Sequence, residues 1–236
     1  MPVYNDNEYL RIVRPLPAFV KRDSFDIPVI EPIEIDISKM NNGLWLSATN
    51  NVSQNDKNAS SKIAHAFKFD ETLRSIYNNP KSFLKKAGKY KAVASLDFSM
   101  DVKMDFYGIY SATYQNRWFG AYMQTNGISV IPTVGWLTRD TYDLCLSGLR
   151  DGGVFLISNL GCNNPDSYSM FIEGFLEIKK RFPNTKIICL GKRLENMDDS
   201  VCIVDYKDSF GSWDKKNCIW QTSFVNWDMS INEGGE

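Results

Sequence analysis

The chain has a single histidine, His65, among its 236 residues. That scarcity excludes a multi-histidine metal centre and any acid–base pair built from two histidines. Its five cysteines, Cys145, Cys162, Cys189, Cys202 and Cys218, are odd in number, widely spaced and without a C-x-x-C pair. They read as scattered reduced thiols, not as a disulfide framework or a zinc site. The sequence also lacks a Walker-type glycine loop with lysine, a G-x-G-x-x-G, a G-x-S-x-G elbow and an H-E-x-x-H pair. No apolar run approaches the roughly 20 residues of a spanning helix. The first residues, MPVYNDNEYLRIVR, carry charge early and form no apolar leader core. A cytoplasmic protein with no membrane partner is expected. Excess positive charge is missing as well: 27 Lys and Arg face 28 Asp and Glu, a net charge of −1. This argues against broad electrostatic adhesion to nucleic acid and leaves room only for a local basic patch.

What is present is a core. Hydrophobic residues make up 43% of the chain and aromatic residues 13%, enough to fill one domain of ordinary to large size. Residues 1–64 read as an N-terminal arm, a strand and a loop packed on the domain. Residues 65–236 read as an α/β core with a tail rich in tryptophan (Trp213, Trp220, Trp227). In the first part, Ile27 to Ile37 alternates apolar and polar residues, a strand signal. The segment TNNVSQNDKNASS, 49–61, is polar and reads as an exposed loop. Helical spacing follows over 69–77 and 80–87, then an apolar strand over 92–98. One long helix is predicted over 103–126, stopped by Asn126-Gly127. Strands are predicted over 128–134, 154–158, 186–190 and 201–204, with helices over 139–147 and 166–182. Strand and helix alternate at the spacing of βα units, and the strands are short, apolar and β-branched. The predicted fold is α/β, with a mostly parallel sheet of repeated βα units, as a partial (β/α) barrel or a three-layer sandwich.

If the strands are parallel, their C-terminal ends share one edge, where ligands bind in such folds. Asp97 is the sharpest candidate there. It ends an apolar run, where an ionised carboxylate is unfavourable unless paired. Its chemical roles are general base, metal ligand or hydroxyl acceptor. The plain alternative is a carboxylate that caps the next helix or pairs with an arginine. Asp101 and Asp105 sit at the start of the long helix, where the dipole favours negative charge. On that helix Tyr107, Tyr110, Tyr114, Trp118 and Ala121 follow a 3/4 spacing, and Arg117 borders their face. An arginine beside stacking rings suits a phosphate, a base or a carboxylate, while an aromatic core stripe is the plain alternative. Thr133 and Ser158 offer hydroxyl contacts, and Trp136 offers a wall. Cys162 has no histidine near it in sequence, and His65 is expected on a helix surface or in the core. Lys192 and Arg193 suit an anion or plain solvent.

The residues LDFS (96–99), YQNRWFGAYMQTNGISVIPTVGW (114–136) and GVFLISNLGC (153–162) resemble a family catalogued as a domain of unknown function, number 4417, found in bacteria, phages and prophages. The matching motif residues are Asp97, Ser99, Arg117, Trp118, Pro132, Thr133 and Trp136. Leu96 stands where the family pattern has proline, a departure in the turn and not in the carboxylate. The resemblance implies a phage or mobile-element setting and names no reaction. Together with the strand-end edge it suggests a pocket for a nucleotide or another polar or phosphorylated small molecule. Asp97 would be the catalytic carboxylate of a hydrolase or transferase, and Ser99, Arg117, Thr133, Trp136 and Ser158 the ligand contacts. Two rivals stand beside it. One is a phage replication or processing protein that stacks single-stranded nucleic acid on its aromatic rings. The other is a protein-binding module that acts on a host factor through its tryptophans.

Overall fold

Seven strands carry the apolar runs among the described residues, which are 14–162 and 164–209 of a computed structural model. They are β1 (Trp45–Ala48), β2 (Lys62–His65), β3 (Ala92–Ala94), β4 (Val130–Ile131), β5 (Val154–Ser158), β6 (Lys186–Leu190) and β7 (Val201–Val204). Helices α1 (Asp70–Asn78), α2 (Pro80–Ala87), α3 (Phe106–Thr125), α4 (Tyr142–Cys145) and α5 (Pro165–Arg181) fill most of the connections. Two parallel sheets result, ordered β1-β2-β3-β4 and β5-β6-β7. A bridge between Thr133 and Leu156 joins them. Its bonds run from Val134 N to Leu156 O at 2.9 Å and from Leu156 N to Pro132 O at 3.0 Å. Pro132 has no N–H, so only its carbonyl serves the ladder.

Strand periodicity sorts the core into layers. One face of every strand feeds a single inner cluster that includes Leu46, Ile63, Ala94, Ile131, Leu156, Ile188 and Val204. Alternate residues face the helices. Val93 and Val130 pack with Trp118, Phe119 and Met123 of α3, and Phe155, Ile157 and Cys189 pack with Phe171 and Phe175 of α5. A core shared by all seven strands means the sheets curl around it. The barrel does not close among the described residues. β7 and β1 share no ladder, and the turn Tyr206–Ser209 lies against β1 instead.

Helix ends follow the local chemistry. The Asp105 carboxylate accepts from Gly108 N at 2.8 Å and starts α3. Asn164 and Ser167 form a capping box at α5, with Pro165 in its first turn. The last turn of α5 holds Lys179, Lys180 and Arg181, opposite in sign to its dipole end.

Several expectations change. Ile27 to Ile37 joins no named strand. Pro28 and Pro32 remove two donors a ladder needs, and the segment instead packs Ile27 and Ile30 against the outer face of α3. The polar stretch 49–61 is anchored. Val52 and Ala59 are buried, Lys62 pairs with Asp56 at 2.8 Å, and Tyr90 Oη donates to the same carboxylate at 2.9 Å. β1 and β2 flank this stretch and were hidden by their four-residue length. His65 is no helix residue; it closes β2 and is fully buried. The stacked rings of α3 are Phe106, Tyr110 and Tyr114, then Trp118 and Tyr122, while Tyr107 points outward with 78% of its surface exposed. The tail tryptophans Trp213, Trp220 and Trp227, and Cys218, lie outside the described residues. No described helix is long and apolar enough to cross a membrane.

Candidate active site

Parallel pairing brings the segments that follow β2, β3 and β4 to one edge. Beneath that edge lies a buried polar knot. Ser95 Oγ donates to Asn116 Oδ1 at 2.7 Å and accepts from Thr133 N at 2.8 Å. Thr133 Oγ1 returns a bond to Ser95 O at 2.7 Å. Asn116 Nδ2 donates to Thr133 O at 3.0 Å. Side chains here extend the β3–β4 pairing past the two-residue β4 and tie both strand ends to α3.

Arg117 completes the knot. Its Nε donates to Ser147 O at 2.8 Å, Nη2 to Cys145 O at 2.9 Å, and Nη1 to Asn116 Oδ1 at 2.5 Å and Thr133 O at 3.2 Å. Arg117 is 1% exposed and forms no salt bridge among the described residues; carbonyl dipoles hold its charge. Burial pulls its pKa down to about 10, against the opposing pull of Cys145, Asp23 and Asp97.

Asp97 lies three residues beyond β3. It is half-buried and its carboxylate makes no hydrogen bond or ion pair among the described residues. Burial first, and the charge of Asp70 second, push its pKa up to about 7, with Arg117 pulling the other way. Asp97, Thr113, Asn116, Arg117, Gly135 and Cys145 line one cavity of about 10 Å³, roughly the space of a single water. Thr113 is 4% exposed, and its hydroxyl has no partner either. Two residues whose side-chain oxygens have no partner among the described residues thus line one water-sized space.

The structure gathers some of the predicted residues and separates others. Asp97 and Arg117 share the cavity. Ser99 reaches it indirectly: its N and Oγ donate to Asp70 Oδ1 at 3.1 and 3.0 Å, fastening the β3 loop to the start of α1. The Thr133 hydroxyl is committed to Ser95 O. Ser158 Oγ donates to Leu190 O at 3.1 Å, between β5 and β6. Trp136 leans away onto α5, with Nε1 donating to Met170 O at 3.2 Å and its ring 5.0 Å from Phe171. A Cβ built on Gly174 would lie 2.1 Å from that indole. Gly174→Ala, which on an open helix gains up to about 1 kcal/mol, is therefore expected to destabilise by about 1–3 kcal/mol. Urea unfolding measures it.

The remaining candidates have other partners. Burial pulls His65 down to about 3, so it stays neutral, and Phe67 N donates to its Nδ1 at 3.4 Å. Burial pushes the Cys162 thiol up, against thiolate chemistry. Arg193 Nη1 donates to Met197 O and Asp198 O ahead of β7. No group of three or more metal-ligating side chains occurs among the described residues. The residues that sequence reasoning passed over are Asp70, Ser95, Thr113 and Asn116. The signal for Ser95 and Asn116 was a polar side chain inside an apolar run (AVASLDF) or an aromatic helix (YSATYQNRWF), where burial demands a partner.

The rim is apolar. Phe69, at the start of α1, is 69% exposed, and Val102, in the β3 loop, is 61% exposed. Phe106 and Tyr107 at the start of α3 are exposed beside them.

The family model described as Domain of unknown function (DUF4417) matches residues 21–207. The Gene 1 protein of Mycobacterium phage D29 is 29% identical over 153 residues, which span 64% of this chain and 56% of the D29 protein. The Gene 1 protein of Mycobacterium phage L5 is 27% identical over 208 residues, 87% of each chain. No solved structure matches.

Proposed function

This chain belongs to the family described as Domain of unknown function (DUF4417), and on that premise we propose that it is an acid–base catalyst of hydrolysis or group transfer whose proton-transfer group is Asp97. The supporting observation is the shared cavity. Asp97, with its pKa raised to about 7, and Thr113, whose hydroxyl has no partner among the described residues, line one water-sized space at the C-terminal strand edge. A group that titrates near neutral pH both takes and gives a proton there. Arg117 serves as a positioning residue. Its buried charge opposes the desolvation of Asp97 and keeps the ionised form accessible. The cavity admits a water or one small polar group, so a polar or phosphorylated substrate, such as a nucleotide, would lie across the rim with only its reacting atom near Asp97.

The test is a product screen by mass spectrometry with nucleotides and sugar phosphates, run on the whole chain and on Asp97→Asn. Turnover is expected in the parent and about 10²–10⁴-fold less in the variant. Equal turnover in both removes Asp97 from the chemistry. A second function, binding of a protein partner, is supported by the exposed rim of Phe69, Val102, Phe106 and Tyr107. Asp70, Glu71, Asp101 and Asp105 lie in the same segments and disfavour a long nucleic-acid polyanion there far more than a substrate with a single phosphate group.

A further inference from the structure

A larger cleft lies on the far side of the segment that carries Cys145 to Gly148. Its volume is about 520 Å³, within the range of small-molecule sites. The turn 149–153 leads into the start of β5, so this cleft opens at the N-terminal end of that strand, whereas Asp97 follows the C-terminal end of β3. Three guanidinium side chains reach it: Arg22 from the arm, Arg150 from the turn and Arg181 from the end of α5.

The charges in the cleft are unequally engaged. Asp23 Oδ1 accepts from Phe25 N at 2.9 Å and Ile27 N at 3.1 Å, and its Oδ2 accepts from Gly148 N at 2.8 Å. Asp143 Oδ1 accepts from Arg181 Nη1 at 2.6 Å. Both carboxylates are therefore occupied. Arg22 donates to Asp26 O at 2.8 Å, and Arg181 Nε donates to Glu177 Oε1 at 2.7 Å. Arg150 is exposed and has no hydrogen bond or ion pair among the described residues. Phe25 and Phe182, both half-buried, add apolar wall to the same space.

We propose that this cleft binds the phosphate group of a small phosphate monoester, with Arg150 as its principal contact and the rings of Phe25 and Phe182 against the organic part. A free guanidinium fork matches two phosphate oxygens at once. Arg22 and Arg181 stand in the same cleft but are already paired, with Asp26 at 3.5 Å and with Asp143 at 2.6 Å and Glu177 at 2.7 Å, so Arg150 is the arginine of the lining left to meet an anion. A bare anion would use only the arginines; a monoester also uses the apolar wall.

Isothermal titration of the whole chain tests this with adenosine 5′-monophosphate, ribose 5-phosphate and inorganic phosphate, at one fixed ionic strength. At least one monoester is expected to bind more tightly than inorganic phosphate. Arg150→Ala is expected to weaken that binding by about tenfold or more, with Arg150→Lys in between. Arg150 is exposed, so neither variant should move the urea midpoint. Asp97→Asn is expected to keep the part of the binding that Arg150→Ala removes, which separates this site from the proposed catalytic one. The proposal is overturned by three results: no binding at millimolar concentration, inorganic phosphate bound as tightly as both esters, or Arg150→Ala bound as tightly as the parent.

Discussion

Arg117→Met is expected to lose about 2–5 kcal/mol of folding stability, the sum for two buried carbonyls left without a donor. Methionine keeps the length and apolar stem of the side chain and removes only the fork. The loss then falls on the acceptors. The carbonyls of Ser147 and Cys145 each receive a bond from Arg117 at 2.8 and 2.9 Å. A buried carbonyl left without a donor costs about 1–3 kcal/mol. Thr133 O and Asn116 Oδ1 suffer less, because Asn116 Nδ2 and Ser95 Oγ still serve them. Lysine recovers only part of the loss, since one ammonium cannot match a fork aimed at three separate carbonyls. Urea unfolding read by circular dichroism gives the magnitude. A loss below about 1 kcal/mol, the scale of an ordinary surface change, contradicts the account of Arg117 as the tie between α3 and the 145–147 segment.

Asp97→Asn is expected to act in the opposite direction and to depend on pH. Burial lifts the folded pKa from 3.8 to about 7. At low pH the carboxyl is protonated in both states and adds no difference. Between 3.8 and about 7, the unfolded chain releases its proton while the folded chain still holds it. The folded state then binds more protons, so stability falls as pH rises through this window and levels off above it. Asparagine removes the ionisation and with it the penalty. The variant should match the parent near about pH 4 and exceed it by about 2–4 kcal/mol near about pH 8.5. A side chain whose loss stabilises the fold is the mark of a residue kept for chemistry. Equal stability of the two proteins across the whole pH range removes the ionisation penalty from Asp97.

The strands and helices most legible in the sequence were those with strong local signals. β5, β6 and β7 start and stop where the apolar runs do, and α5 is bounded by Pro165 and the basic residues of its last turn. α3 was visible from Asp105 to the Asn126-Gly127 stop. β1 and β2 were not, because four residues in a polar setting carry too little periodicity. The proline-interrupted 27–37 segment imitated a strand because its apolar alternation reflects burial, of Ile27 and Ile30 beside α3 and of Ile33, Ile35 and Ile37 in the inner cluster, not pairing. Within the site, the carboxylate at Asp97 was legible as a charge in an apolar run. The bonding of Arg117 was not, since its acceptors are main-chain carbonyls far away in sequence. Thr113 was hidden for a related reason: a hydroxyl facing a cavity looks in sequence like any threonine on a helix.

The central claim is that Asp97 carries a carboxyl that titrates near neutral pH in a water-sized niche. The most direct measurement is a pH titration of the side-chain carboxyl carbon by NMR, in protein labelled with ¹³C-aspartate and assigned with Asp97→Asn. A midpoint at about 7 is predicted, well above the ordinary 3.8. A midpoint close to 3.8 would mean a solvated or paired carboxylate, and the case for proton transfer at this edge would be lost.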